Sequence, residues 1–243
     1  MAKLAVKGSH IFKTFQLEQE KTISVLKDVC LEANYGEFIS ILGISGSGKS
    51  TLLKCLSSLL EPSSGHVDIN HLDPYHLSDG KLAKLRREDI SFIFQSYNLV
   101  PALPVIENIV LPLRLASKKI DQSKIEEILR RLNFQADRNA PVATLSGGEQ
   151  QKVAIARAIL ANSKIIFADE PTGALDSLSR QVVFDILSDL AKEGKCVLMV
   201  THDIELASRT DRALILKDGS IDQELKAPSS DTLYKALGTA TSH

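Results

Sequence analysis

Gly43-Ile44-Ser45-Gly46-Ser47-Gly48-Lys49-Ser50-Thr51 is the stretch on which the reading of this chain turns. An apolar run, Phe38-Ile39-Ser40-Ile41-Leu42, precedes it, and a helical pattern through Leu52, Leu53, Leu56 and Leu59 follows. A strand, a glycine-rich turn of pattern G-x-x-x-x-G-K-[ST] and a helix together form a cradle for phosphates. Glycines let backbone N–H groups turn inward around phosphate oxygens, and the helix N-terminus adds partial positive charge. Lys49 can reach β- and γ-phosphates, and the Ser50 hydroxyl can ligate Mg²⁺. The bland alternative is a Gly/Ser-rich turn with a helix cap. The placement between strand and helix favours the phosphate site, so the stretch implies a nucleoside triphosphate.

The 243 residues suffice for one large or two small domains. The composition is globular, with 44% hydrophobic and 24% charged residues. A net charge of −1 carries no polybasic signature, so nucleic acid is not expected as a partner. Cys30, Cys55 and Cys196 lie far apart in sequence and read as small buried thiols in a reducing compartment, with no disulfide or zinc cluster. The N-terminus lacks the apolar core of a signal peptide, and no apolar run approaches the roughly 20 residues that span a bilayer. The expected location is the cytosol, unless a partner holds the chain at a membrane.

Outward from the central stretch, Leu4–Val6 and Val25–Val29 read as short strands around a polar loop from Gln16 to Thr22. From periodicity alone, Phe15 reads as the cap of a small β core, with stacking on a base as the alternative. The helix after the phosphate loop is expected over Thr51–Leu60, a strand over Val67–Asn70 and a short basic helix over Lys81–Arg87. Ser96–Val105 is loop-like in its prolines yet apolar, so it either folds back on the core or faces a partner. Glu107–Leu115, the amphipathic Ile125–Leu132 capped by Asp121, and a helix after Ser146 suggest a helical insertion over about 96–160. Further on, a helix is expected over Gln181–Ala191 with Gly194 at its end, a short helix after Asp203, and a hairpin turning at Asp218-Gly219. The tail from Ala227 reads as polar and peripheral.

Four apolar runs end in polar groups: Phe38–Leu42 at the phosphate loop, Ile90–Phe94 at Gln95, Ile165–Ala168 at Asp169-Glu170, and Val197–Val200 at Thr201-His202. Continuous runs between helices imply a parallel sheet buried on both faces. Ligands of such sheets sit outside the carboxyl ends of the strands, which gathers Lys49, Gln95, Asp169, Glu170 and His202 at one edge. Asp169 then reads as the Mg²⁺-associated carboxylate, and Glu170 as the general base for an attacking water. Gln95 reads as a ligand of the metal or of the water, and His202 as a hydrogen-bond partner of the γ-phosphate. In Leu145–Lys152, Ser146 and Glu149 match a capping box. Gly147 and Gly148 cost stability in a first helical turn, and close approach to a phosphate accounts for them.

Gly43–Thr51, Gln95, Leu145–Lys152, Ile165–Glu170, Ala174-Leu175-Asp176 and His202 resemble, in order and spacing, the motif set of an ATP-binding-cassette (ABC) ATPase over nearly the whole chain. The resemblance implies an α/β fold: a P-loop NTPase core with a mostly parallel sheet, an N-terminal antiparallel β subdomain and the inserted helical subdomain, as a single domain over 1–243. It implies ATP and Mg²⁺ as ligands and ATP hydrolysis as activity. Glu170, His202, Gln95 and Lys49 would act in catalysis, and Ser50, Gln95 and Asp169 at the metal. Gly43, Ser45, Gly46, Ser47, Gly48, Lys49, Ser50, Thr51 and Gln95 would hold the nucleotide, with Phe15 now read as stacking on adenine. It further implies a head-to-tail homodimer in which Ser146, Gly147 and Gly148 of one copy meet the γ-phosphate bound by the other, with Asp176 linking the two sites.

Phe94–Pro101, Glu107-Asn108-Ile109 and Pro171–Asp176 resemble more narrowly the macrolide-export, lipoprotein-release and antimicrobial-peptide-resistance branch. That similarity implies a motor subunit for a separate bacterial membrane permease docking near Gln95–Val105, peripheral on the inner face of the membrane, driving efflux, peptide resistance or envelope mechanotransmission. Ile44, Phe15, Glu149 and Lys152 depart from the residues common in the family, and Glu149 adds a negative charge whose effect on the nucleotide is open. A soluble ABC ATPase of DNA repair or translation, and a non-hydrolysing nucleotide sensor, stand as alternatives.

Overall fold

The computed structural model describes residues 3–16 and 22–239. In chain order the elements are β1 (Leu4–Gln16), β2 (Thr22–Asn34), β3 (Phe38–Leu42), α1 (Lys49–Leu56), β4 (Ser64–Ile69), α2 (Asp79–Glu88), β5 (Ile90–Ile93), α3 (Val105–Leu115), α4 (Gln122–Arg131), α5 (Gly147–Ala161), β6 (Ile165–Asp169), α6 (Ser177–Lys192), β7 (Cys196–Val200), α7 (Ile204–Ala207), β8 (Arg212–Lys217), β9 (Ser220–Lys226) and α8 (Ser230–Thr239). The expected loop from Gln16 to Thr22 falls for the most part outside the described residues.

The apolar runs build a six-stranded sheet of order β5-β6-β7-β3-β8-β9. Its first five strands are parallel and β9 is antiparallel to β8. Every residue of β3, β6 and β7 is buried, because both faces are covered. Alternate residues divide between two cores. Phe38, Ile166, Ala168, Val197 and Met199 pack with α3, α5 and α6, while Ile39, Ile41, Ile165, Phe167 and Leu198 pack with α1 and the N-terminal strands. β8 joins as a fifth parallel strand beside β3, and the hairpin at Asp218 and Gly219, whose φ of 48° and 87° suit a type I′ turn, adds β9 antiparallel to it.

β1 and β2 run 13 residues each, far longer than their alternation suggests, and with β4 they form a sheet of order β2-β1-β4. Register shifts along β1 interrupt the period-two pattern, which is why only fragments of it are visible in the sequence. Cys30 lies exposed on β2 beside His10 and Asp28, so only Cys55 and Cys196 fit the expectation of buried thiols. Burial pushes the Cys55 thiol up to about 11.

Three expectations change at element ends. α1 stops at Leu56, before Pro62, because Ser58 takes a left-handed φ of 69°, and Leu59 turns out to solvent. α6 starts at Ser177 rather than Gln181, since the Asp176 carboxylate accepts from the Ser179 N–H at 2.9 Å. The tail is not peripheral: α8 lays Leu233 and Ala236 against Leu42, Ala213 and Ile215. The Ser96–Val105 segment folds back on the core, the first of the two alternatives. Asn108, fully buried, accepts from the Val100 N–H at 2.8 Å and donates to the carbonyls of Val100, Leu103 and Pro104, folding the loop back. Val100 itself stays exposed.

Candidate nucleotide site

The carboxyl ends of β3, β5, β6 and β7 open on one cleft of about 360 Å³, lined by Ser45, Gly46, Gly48, Lys49, Ser50, Thr51, Gln95 and Glu170, together with Val25 and Val200. The loop into α1 is held by backbone sterics. A Cβ on Gly43 would lie 2.1 Å from the Leu216 carbonyl oxygen, and one on Gly48 2.9 Å from that of Val25, at φ of 153° and 102°. Val25 and Val200 were not legible as site residues, since nothing in an apolar strand residue marks it as a wall.

Lys49 Nζ donates to the carbonyls of Gly43 and Ile44, both at 2.9 Å, which folds it over its own loop. Burial lowers its pKa, and Glu170 and Asp169 partly oppose this. The Ser50 hydroxyl donates to Asp169 Oδ1 at 2.9 Å, tying α1 to the end of β6. Burial raises the Asp169 pKa, with the Ser50 bond opposing. Burial likewise raises that of Glu170, opposed by His202. Glu170 follows β6 with a left-handed φ of 50°, held there as its N–H donates to the Val200 carbonyl at 3.0 Å. A non-glycine residue in that region is strained, and such strain gathers at working sites. His202, mostly exposed, brings Nδ1 to 2.8 Å from Glu170 Oε2. The approach lacks hydrogen-bond angles, so Glu170 Oε2 and Ser47 Oγ are the buried side-chain polar atoms without a hydrogen bond among the described residues.

These features test the fit of a Mg-nucleotide. The buried Glu170 carboxylate has the His202 ring nitrogen beside it, the Ser50 hydroxyl and the Asp169 carboxylate sit together as a hard-cation ligand pair, and Lys49 folds over the carbonyls of its own loop. Ser50 and Asp169 meet there, Gln95 lines the same cleft, and their oxygen atoms are of the kind that fits a hard cation.

The other expected residues lie outside this cleft. Phe15 is exposed near the end of β1, with Lys13 Nζ 5.2 Å from its ring centroid, and so does not cap a core. Asp176 is an exposed cap of α6, with its pKa lowered by hydrogen bonds from the Ser179 backbone and hydroxyl. Ser146, Gly147 and Gly148 stand at the start of α5, where Ser146 Oγ accepts from the Glu149 N–H at 3.3 Å. Only that half of the capping box forms. The Glu149 carboxylate turns instead to Lys152 Nζ at 2.8 Å and to the Gln135 N–H at 3.4 Å. The two departures in this motif therefore neutralise each other inside the chain.

A second, larger groove of about 570 Å³ runs between α2, β5, α3 and α5, with Phe92, Phe94, Pro112 and Leu115 in its walls and Arg86, Arg87 and Arg157 at its edges. No sequence signal announced it. No helix among the described residues is long and apolar enough to cross a membrane.

With this geometry in place, comparison with known proteins is specific. The family model described as ABC transporter matches residues 26–173. The uncharacterized ABC transporter ATP-binding protein MJ0796 of Methanocaldococcus jannaschii is 40% identical, over 93% of this chain and 99% of its own length. The lipoprotein-releasing system ATP-binding protein LolD of Leptospira interrogans is 44% identical, over 89% of this chain and 91% of its own. The macrolide export ATP-binding/permease protein MacB of Mannheimia succiniciproducens is 41% identical over 89% of this chain, which spans only 34% of that longer protein. The dimeric structure of a post-hydrolysis state of the MJ0796 cassette bound to ADP and Pi superposes with a TM-score of 0.86, covering 92% of this chain and 99% of that one. The chain belongs to the ABC transporter family.

Proposed function

We propose that this member of the ABC transporter family is the ATP-hydrolysing motor subunit of a bacterial transporter, closing as a dimer around Mg-ATP and driving a separate membrane permease. The observation that carries the reading is the single cleft that unites the phosphate loop, Gln95 and Glu170, with the Glu170 carboxylate on its wall and the His202 ring beside it.

Lys49 leaves its loop carbonyls for the β- and γ-phosphates, and the N–H groups of Ser45–Ser50 surround the same oxygens. Ser50, Asp169 and Gln95 would hold Mg²⁺, which would offset charge on the phosphate oxygens. Glu170 takes a proton from the attacking water, the bond to the leaving ADP oxygen breaks, and inorganic phosphate is released. Burial makes Glu170 a better base than an exposed carboxylate. His202 holds Glu170 from one side and reaches the γ-phosphate from the other. Phe15 stacks on adenine. Ser146, Gly147 and Gly148 of a second copy close over the γ-phosphate, with Asp176 at the seam between the two sites. Residues 96–160 act as the inserted helical subdomain. The apolar groove beside it receives the permease near Gln95–Val105, which keeps the chain on the cytoplasmic face of the membrane. The dimeric state of the MJ0796 cassette and the joint naming of MacB as an ATP-binding/permease protein support this assembly. Cargo selection belongs to the permease, with efflux, peptide resistance and envelope mechanotransmission as the classes the family branch suggests.

Glu170→Gln tests the assignment. Hydrolysis is expected to fall by about 10²–10⁴-fold, with ATP still bound and ATP-dependent dimers accumulating in light scattering. An unchanged phosphate-release rate removes Glu170 as the base.

A further inference from the structure

The loop after Gln95 is fastened to α5 by one side chain. Arg157 donates from Nη1 to the Asn98 carbonyl at 2.8 Å and from Nη2 to the Tyr97 carbonyl at 3.0 Å. No carboxylate pairs with it among the described residues, and burial lowers its pKa. Tyr97 and Asn98 both hold left-handed backbone, with φ of 63° and 49°. Two successive non-glycine residues rest there only when something fixes them, and the charge-assisted pair from Arg157 does so. The turn aims the Tyr97 side chain at the start of α5. Its hydroxyl lies 2.9 Å from the point a Cβ on Gly147 would occupy, while its Cζ is 3.8 Å from that point. Asn98 and Arg157 also line the large apolar groove. One wall of the groove is therefore the anchor of the side chain that touches Gly147.

We propose that Tyr97 is a positioning residue: clamped by Arg157, it sets the placement of Gly147 and thereby connects the state of the groove to the phosphate-closing end of α5. The inference rests on the reading that Ser146–Gly148 close over the nucleotide of a second copy. It also gives Gly147 a neighbour within its own chain. A methyl group there meets a tyrosine hydroxyl of its own chain.

The contact predicts a specific rescue. Gly147→Ala lowers steady-state ATP hydrolysis at least tenfold and weakens ATP-driven dimer formation. Adding Tyr97→Phe removes the one atom closer than ordinary contact and restores both at least fivefold relative to Gly147→Ala. Arg157→Met, which keeps the apolar stem and loses the clamp, lowers kcat about tenfold while KM for ATP stays within twofold. A merely structural loss would move thermal stability without that split, so circular dichroism melts accompany each variant. If the wild-type chain neither hydrolyses ATP nor dimerises with it, the reading of the α5 loop fails. If the wild type is active and Gly147→Ala is not, but Tyr97→Phe restores nothing, the positioning role of Tyr97 alone is overturned. Unchanged kcat in Arg157→Met overturns the clamp.

Discussion

The phosphate loop and the start of α5 are both glycine-rich turns that feed a helix, yet their glycines answer to different neighbours. In the phosphate loop the competing atoms are backbone: the Leu216 carbonyl 2.1 Å from a Cβ on Gly43, and the Val25 carbonyl 2.9 Å from one on Gly48. Those carbonyls belong to strands locked in the sheets. At α5 the atom nearest a Cβ on Gly147 is the end of a tyrosine side chain, and Gly148 has an ordinary clearance of 3.4 Å to the Ala174 carbonyl. The first loop is a fixed part of the core. The second is set by groups that can move. Buried polar atoms without a hydrogen bond follow the same division: Ser47 Oγ and Glu170 Oε2 belong to the cleft side, whereas the α5 turn is capped and its Glu149 is paired. The cleft side keeps polar atoms without hydrogen bonds, while the α5 turn is internally satisfied.

The sharpest way to break this contrast is Gly43→Ala. The β8 backbone cannot retreat, so denaturant melts should show a loss of about 3 kcal/mol or more, together with loss of nucleotide binding. A stable, ATP-binding Gly43→Ala protein would show that the loop is not locked by its sheet. Ser146→Ala probes the other side. Losing the cap costs about 1 kcal/mol, ATP affinity of the monomer stays unchanged, and hydrolysis falls because the second half-site is displaced. Weakened ATP binding by the monomer would place Ser146 in the first half-site instead.

The smallest expected effect concerns charge. Burial raises the Glu170 pKa, so the native state holds that proton more tightly than the unfolded chain. The ionised group therefore lowers stability above its raised pKa, and this cost fades as pH falls through that value. At neutral pH Glu170→Gln should melt slightly higher than the wild type, and the difference should vanish on acidification. Wild-type hydrolysis should decline over the same range as the base becomes protonated. A Glu170→Gln protein that melts lower at neutral pH would mean that His202 outweighs desolvation.

Much of this was legible beforehand because the parallel strands are buried on both faces, which makes their runs continuous and their ends abrupt. Lys49, Gln95, Glu170 and His202 stand at those ends, so a rule about strand termini gathers them. The antiparallel β1 and β2 were legible only in pieces, since bulges at Gly8–Ile11 and beyond reset the alternation. α8 was missed because its contact with the core, through Leu233, Ala236 and the half-buried Leu237, spans a single helical turn in a polar tail. The caps of α4 and α7, by contrast, could be read from Asp121 and Asp203 alone, because a cap is a local bond between neighbours in sequence.

What the sequence by itself determined is therefore whatever depends on local spacing: the phosphate loop, the caps, the apolar strands and the polar groups that end them. Tertiary structure alone decided the rest: the left-handed strain at Glu170, the neutralisation of Glu149 by Lys152, the large groove, and the Arg157–Tyr97–Gly147 contact. Each of these depends on where a second element brings its carbonyl, charge or hydroxyl. That distance is fixed by packing in three dimensions and leaves no periodic trace along the chain.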